Sequence, residues 1–118
     1  MNESETRAEL IDPALEKAGW GVTEGSRVRR EFHITQGRIQ AGGKRAQKEI
    51  ADYVLTYRGK MLAVIEAKAK GKADTEGLGQ AKSYAEKLKV RFTYSTNGVG
   101  IYQADMDTGQ EGKVDSFP

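Results

Sequence analysis

The sequence contains no cysteine and a single histidine, His33. The first absence excludes a disulfide framework and any thiolate-held metal. The second excludes a histidine-rich zinc site. Any metal must therefore be held by oxygen atoms, which selects a hard cation such as Mg²⁺ or Mn²⁺. Apolar runs of membrane-spanning length are also missing, and no signal peptide opens the chain, so the expected location is cytoplasmic, with no membrane contact. Neither repeats nor a low-complexity linker interrupt the sequence, so residues 1–118 are expected to form a single domain with one modest core. Apolar residues make up 37% of it and charged residues 31%, a balance suited to a globular fold with a well-solvated surface. The net charge of +2 hides an uneven layout: Arg27, Arg29, Arg30, Arg38, Lys44, Arg45 and Lys48 face only Glu31 as a countercharge, whereas both ends are acidic. Such a stripe can steer phosphate toward the protein or simply be a solvated face.

Periodicity supplies the elements. Leu10, Ile11, Ala14, Leu15 and Ala18 recur at helical spacing and predict a helix from Glu3 to Ala18, kinked or broken at Pro13 and closed by Gly19. Trp20 is expected to pack back on the core. Val28 to Ile34 reads as a strand, and the glycine-rich, basic stretch Gln36 to Lys48 as a mobile loop. Ile50 to Tyr57 and Met61 to Ala69 form a predicted hairpin about Arg58-Gly59-Lys60, apolar on both faces as central strands are. A helix over Thr75 to Lys89 follows, then strands over Val90 to Thr96 and Val99 to Asp105. Asp107-Thr108-Gly109 turns the chain into a short last strand. The order is that of a mixed α/β sandwich.

Asp52, Glu66 and Lys68 are polar where a buried sheet should be apolar. Glu66 and Lys68 lie two apart and leave one face of their strand. If paired residue numbers sum to 118, Asp52 stands opposite Glu66, with Cβ atoms about 4.5–5.5 Å apart. Two such carboxylates repel, and a divalent cation between them removes the conflict. A cation there would polarise a phosphodiester oxygen, while Lys68 could orient the attacking water and offset the developing charge. The structural reading is a cross-strand ion pair among the same three residues. If like charges strain the metal-free fold, removing Glu66 or Lys68 should leave stability equal or higher.

Asp52 followed by Glu66-Ala67-Lys68 resembles the D…ExK core of the PD-(D/E)XK nucleases, with Ala51 where a proline usually precedes the first acid. Gln80 and Tyr84, one helical turn apart, resemble the QxxxY helix of RecB-like members. Glu5-Thr6-Arg7, Leu10-Ile11-Asp12-Pro13, Ala18-Gly19-Trp20 and Tyr94-Ser95-Thr96-Asn97-Gly98 extend the likeness to the start of type I restriction enzyme R subunits. That resemblance implies a restriction-endonuclease-like sheet flanked by helices, in the order α-β-β-β-α-β-β. It implies an Mg²⁺- or Mn²⁺-dependent endonuclease domain at the front of a larger subunit. The ion would be held by Asp52, Glu66, the Ala67 carbonyl and a helix acid, for which Glu5 matches best and Glu9 next. Gln80, Tyr84, Lys44, Arg45 and Lys48 would contact double-stranded DNA. The remainder of such a subunit would carry an ATP-binding helicase or translocase region and would join modification and specificity subunits. Gly71-Lys72 lacks the flanking residues of a phosphate-binding loop, so no motor is expected within this chain.

Two alternatives share the core: a free-standing structure-selective nuclease of the junction-resolvase kind, and a DNA-binding module that keeps the fold without the activity. His33 is expected at a sheet edge, and Asp105, Asp107 and Gly109 in a turn rather than a calcium loop. Parity gives the sharpest expectation. A two-residue turn at Gly59-Lys60 makes paired numbers sum to an odd value and puts the acids on opposite faces. Either the three-residue loop Arg58-Gly59-Lys60 or a compensating β-bulge is therefore required.

Overall fold

The computed structural model describes residues 1–34 and 49–118; the expected loop Gln36 to Lys48, with Lys44, Arg45 and Lys48, lies outside the described residues. The amino-terminal helix is continuous but not uniform. Helix α1 (Glu3–Thr6) runs into a π-helical segment (Arg7–Ile11) and then into α2 (Asp12–Lys17). The irregularity expected at Pro13, a kink or a break, takes the form of this widened turn just before it. Proline offers no N–H to the preceding turn and crowds its carbonyl. The chain bonds one residue further back instead, the Asp12 N–H donating to the Arg7 carbonyl, and proceeds with helical backbone angles.

Among the described residues six strands form one sheet in sequence order: β1 (Ser26–His33), β2 (Ile50–Tyr57), β3 (Lys60–Ala67), β4 (Phe92–Thr96), β5 (Ile101–Asp105) and β6 (Glu111–Val114). Every neighbouring pair is antiparallel except β3 and β4, which the crossover helix α3 (Leu78–Leu88) connects in parallel. This is the expected mixed α/β sheet flanked by helices. On one face Tyr53, Leu55, Ile65 and Tyr94 pack with Ile11, Leu15 and Phe117, and half-buried Trp20 joins them. On the other, Val54 and Val64 pack with Tyr84, Ala85 and Val90. Each fully buried aliphatic side chain contributes about 1.5–3 kcal/mol, so the helices are held mainly by these two cores. Among the described residues no helix is long and apolar enough to cross a membrane.

The hairpin between β2 and β3 satisfies parity through the bulge. Arg58 and Gly59 both have positive φ, +50° and +81°, the signature of a tight two-residue turn. That turn pairs Tyr57 with Lys60 and Thr56 with Met61, the odd register. Leu62 is then extra on β3, and from Leu55↔Ala63 through Tyr53↔Ile65 the paired numbers sum to 118.

Candidate active site

The β2–β3 ladder ends at Tyr53↔Ile65, one step before the acids. Beyond it, side chains replace backbone pairing. The Asp52 N–H donates to Glu66 Oε2 at 2.8 Å, and the Ala67 N–H donates to Asp52 Oδ2 at 2.8 Å. The two carboxylates thus converge in the opening where the strands part. Lys68, the first residue past β3, keeps strand geometry because its N–H donates to the Thr96 carbonyl at 2.8 Å. Gly77, just before α3, comes close to both side chains: a Cβ there would lie 3.2 Å from Glu66 Cβ and 3.4 Å from Lys68 Cε. Glu66 and Lys68 therefore share a face, under the start of α3.

Electrostatics mark the same spot. Glu66 is buried, and that burial, with the Asp52 charge, pushes its carboxyl up to about 8 against the opposing pull of the Asp52 N–H and Lys68. Burial also raises Asp52, partly offset by the Ala67 N–H and Arg7 and reinforced by the charge of Glu3. Glu3 acts on both acids, and sequence reasoning missed it. Glu5, the expected helix acid, is exposed and occupied: its carboxylate accepts the Asn2 N–H at 3.1 Å while Asn2 Oδ1 accepts the Glu5 N–H at 2.8 Å. This is a capping box, legible in advance from an asparagine three residues before a glutamate. Glu9 is exposed in the π-helical segment.

Gln80 and Tyr84 do pair, Gln80 Nε2 donating to the Tyr84 hydroxyl at 2.6 Å. Tyr84 is buried, its hydroxyl raised by burial and then by the charge of Glu66, so the pair belongs to the neighbourhood of the acids. Gln80 itself is exposed. His33 ends the edge strand β1, opposite Ile50. Asp105 and Asp107 bind Arg91, and Gly109 closes their turn on the Asp105 carbonyl. A cleft of about 980 Å³, lined by Trp20, Met61, Phe92 and Met106 among others, lies at the opposite end of β3 and shares no residue with the acid cluster.

The donor set suits a hard cation: two carboxylates whose mutual repulsion a positive charge would relieve, and the Ala67 carbonyl just past the ladder. Among the described residues no group of three or more His, Cys, Asp or Glu converges to hold a metal. Mg²⁺ is usually bound by one or two carboxylates and keeps several waters, so a pair suffices.

An α/β domain with two apposed acids and a lysine at the opening of its central strands is thus defined by its own geometry. Residues 27–114 match the family model for the second domain of the type I restriction enzyme EcoKI endonuclease subunit. The whole chain aligns with the type I restriction enzyme EcoAI endonuclease subunit of Escherichia coli, 34% identical over 129 residues, and covers 16% of that protein. It also superposes on a fragment of a protein assigned as an HsdR subunit of a type I restriction enzyme from Vibrio vulnificus. The TM-score is 0.90 and the identity 38%, with all of this chain covered and 24% of the other. The chain belongs to the family of type I restriction enzyme endonuclease subunits.

Proposed function

We propose that this chain is the PD-(D/E)XK nuclease domain of such a subunit, hydrolysing DNA phosphodiester bonds in the cytoplasm with Mg²⁺ or Mn²⁺. The observation that carries the reading is the convergence of Asp52 and Glu66 in a gap of the sheet, with Lys68 beside them. A structural ion pair would need one acid for one lysine. Here the second acid raises the first, a cost without a return unless a cation is received.

When bound, the ion supplies Lewis-acid polarisation of a phosphodiester oxygen. Asp52, Glu66 and the Ala67 carbonyl would hold it, with Glu3 the helix acid whose charge reaches the pair. The Lys68 ammonium orients water for in-line attack and offsets charge on the phosphate. The Gln80–Tyr84 pair braces the same end of the sheet, and exposed Gln80 would meet the DNA backbone. In the complete enzyme we expect an ATP-driven translocase region to feed DNA to this domain, with modification and specificity subunits choosing where it acts.

Plasmid cleavage by the full subunit in its assembled enzyme tests this. Asp52→Ala and Lys68→Ala should each lower cleavage by at least about a hundredfold without altering DNA binding, the usual scale for losing a group that acts in the transition state. Cleavage at the wild-type rate by Asp52→Ala would end the nuclease reading.

A further inference from the structure

Asp52 is the one residue of β2 that loses regular pairing on both sides. The β1–β2 register runs from Ser26↔Tyr57 to Arg30↔Tyr53 and resumes at Phe32↔Ala51, skipping Glu31, which should face Asp52. Glu31 sits there with φ +50°, a left-handed conformation that residues other than glycine seldom adopt. On the other side the ladder with β3 has already ended. β3 holds Asp52 only through the Glu66 carboxylate and the Ala67 N–H, which leaves the Asp52 carbonyl and Oδ1 to partners outside the sheet.

A further partner comes from the amino-terminal helix. Arg7 Nη2 donates to the Asp52 carbonyl at 3.4 Å, and Nη1 lies 3.9 Å from Asp52 Oδ1. The guanidinium is itself fixed. Nη1 donates to Glu31 Oε1 at 2.6 Å, Nε donates to the Tyr53 hydroxyl at 3.3 Å, and the group stacks 4.7 Å from the Tyr53 ring centre. Tyr53 is buried and donates to Asp12 Oδ1 at 2.7 Å, while Asp12 also pairs with Arg30 at 3.3 Å. Arg7 and Asp12 can both reach one tyrosine because of the π-helical segment between them. Residues five apart on an α-helix point about 140° away from each other. Bonding Asp12 N–H to the Arg7 carbonyl brings such residues onto one side.

We propose that Arg7, locked between Glu31 and the Tyr53 ring, is the positioning residue that sets the backbone and carboxylate of Asp52. The proposal rests on the nuclease reading above. All three guanidinium nitrogens are engaged, in a planar fork that lysine cannot reproduce. Partners that orient a metal-binding or reacting group typically change metal affinity or activity about 10–100-fold when removed.

The test uses the full-length subunit with Arg7→Lys, Glu31→Gln and Asp52→Ala side by side. Three quantities are measured: Mn²⁺ binding by calorimetry without DNA, kcat and KM for plasmid cleavage, and thermal unfolding. Arg7→Lys should weaken Mn²⁺ binding and lower kcat by about 10–100-fold while KM for DNA stays within about twofold. Glu31→Gln, which keeps Arg7 but loosens its anchor, should shift kcat in the same direction by less. If Arg7→Lys fails to fold, Glu31→Gln decides alone, and a wild-type kcat there overturns the proposal. A wild-type kcat and Mn²⁺ isotherm for Arg7→Lys, or a rise in KM with kcat unchanged, overturns it as well. Asp52→Ala separates the two ideas: if it still binds Mn²⁺ and cleaves, the nuclease reading has failed, whereas its inactivity beside an unaffected Arg7→Lys removes Arg7 only.

Discussion

Glu66 makes two opposed contributions, and the choice of substitution separates them. Its carboxyl is held up to about 8, against an ordinary value of 4.5, so between those limits the folded chain keeps a proton that the unfolded chain has released. Stability should then fall as pH rises from about 4.5 to about 8, because the native state binds the extra proton. Glu66→Gln should flatten that slope in a melting series across the window while still accepting the Asp52 N–H. Glu66→Ala should not be neutral, contrary to the expectation from repulsion alone. It strips the acceptor from the half-buried Asp52 N–H, which costs up to the roughly 1–3 kcal/mol of a fully buried orphaned donor. A cation seated between the acids would ionise Glu66, so Mn²⁺ uptake near neutral pH should release protons. Binding heats that do not vary with the ionisation enthalpy of the buffer would contradict this. At this scale Asp52, Glu66 and Lys68 were legible because charged residues interrupt apolar strands. Arg7, Glu31 and Asp12 were not, since their partners are set by tertiary contact. The Asn2 cap engages the Glu5 carboxylate, while the charge of Glu3 reaches both acids, a difference that spacing alone does not show.

The elements around the site act through spacing. Parity demanded an odd register shift, and the bulge at Leu62 supplied it where a longer turn was the other solution. Pattern could show that the shift was needed but could not choose between the two, because both leave the same residues facing inward. The π-helical turn left no mark in hydrophobic spacing; only Pro13 hinted at irregularity, and its effect was displaced to the residues before it. Gly77 is where one element presses most directly on the chemistry. A Cβ at that position would lie 3.1 Å from Ser95 Oγ and 3.2 Å from Glu66 Cβ, so the acid strand or the start of α3 must yield by a few tenths of an ångström. The backbone there has φ −86°, which alanine adopts without strain. Gly77→Ala should therefore cost little stability, about 1 kcal/mol or less, yet displace Glu66 and Lys68 enough to lower kcat about tenfold. Unfolding and single-turnover cleavage measured on the same preparation check this. A variant that melts early and cuts normally would show that the contact is only packing.

Across the whole molecule, the proposed function requires the charge layout to reconcile an acidic site with an anionic polymer. Asp52 and Glu66 converge at one end of the sheet and feel the charge of Glu3, so a phosphate approaching them needs positive charge nearby. Many of the described cations are already committed: Arg30 to Asp12, Lys82 to Glu111, Lys87 to Glu49 and Arg91 to Asp105. Arg27 and Arg29 stand exposed on β1, and the basic run continues in sequence through Lys44, Arg45 and Lys48. If those three residues grip phosphates, reversing them removes interactions that carry no sequence information, so DNA binding should weaken for every sequence alike. The plot of log affinity against log salt should become shallower by about 0.9 for each phosphate no longer neutralised. Lys82→Glu is the matched control, because its ammonium already has an acid partner and should release no counterions from DNA. A triple reversal at Lys44, Arg45 and Lys48 that leaves the slope where Lys82→Glu leaves it would take that segment out of the DNA interface and pass the steering role to Arg27 and Arg29.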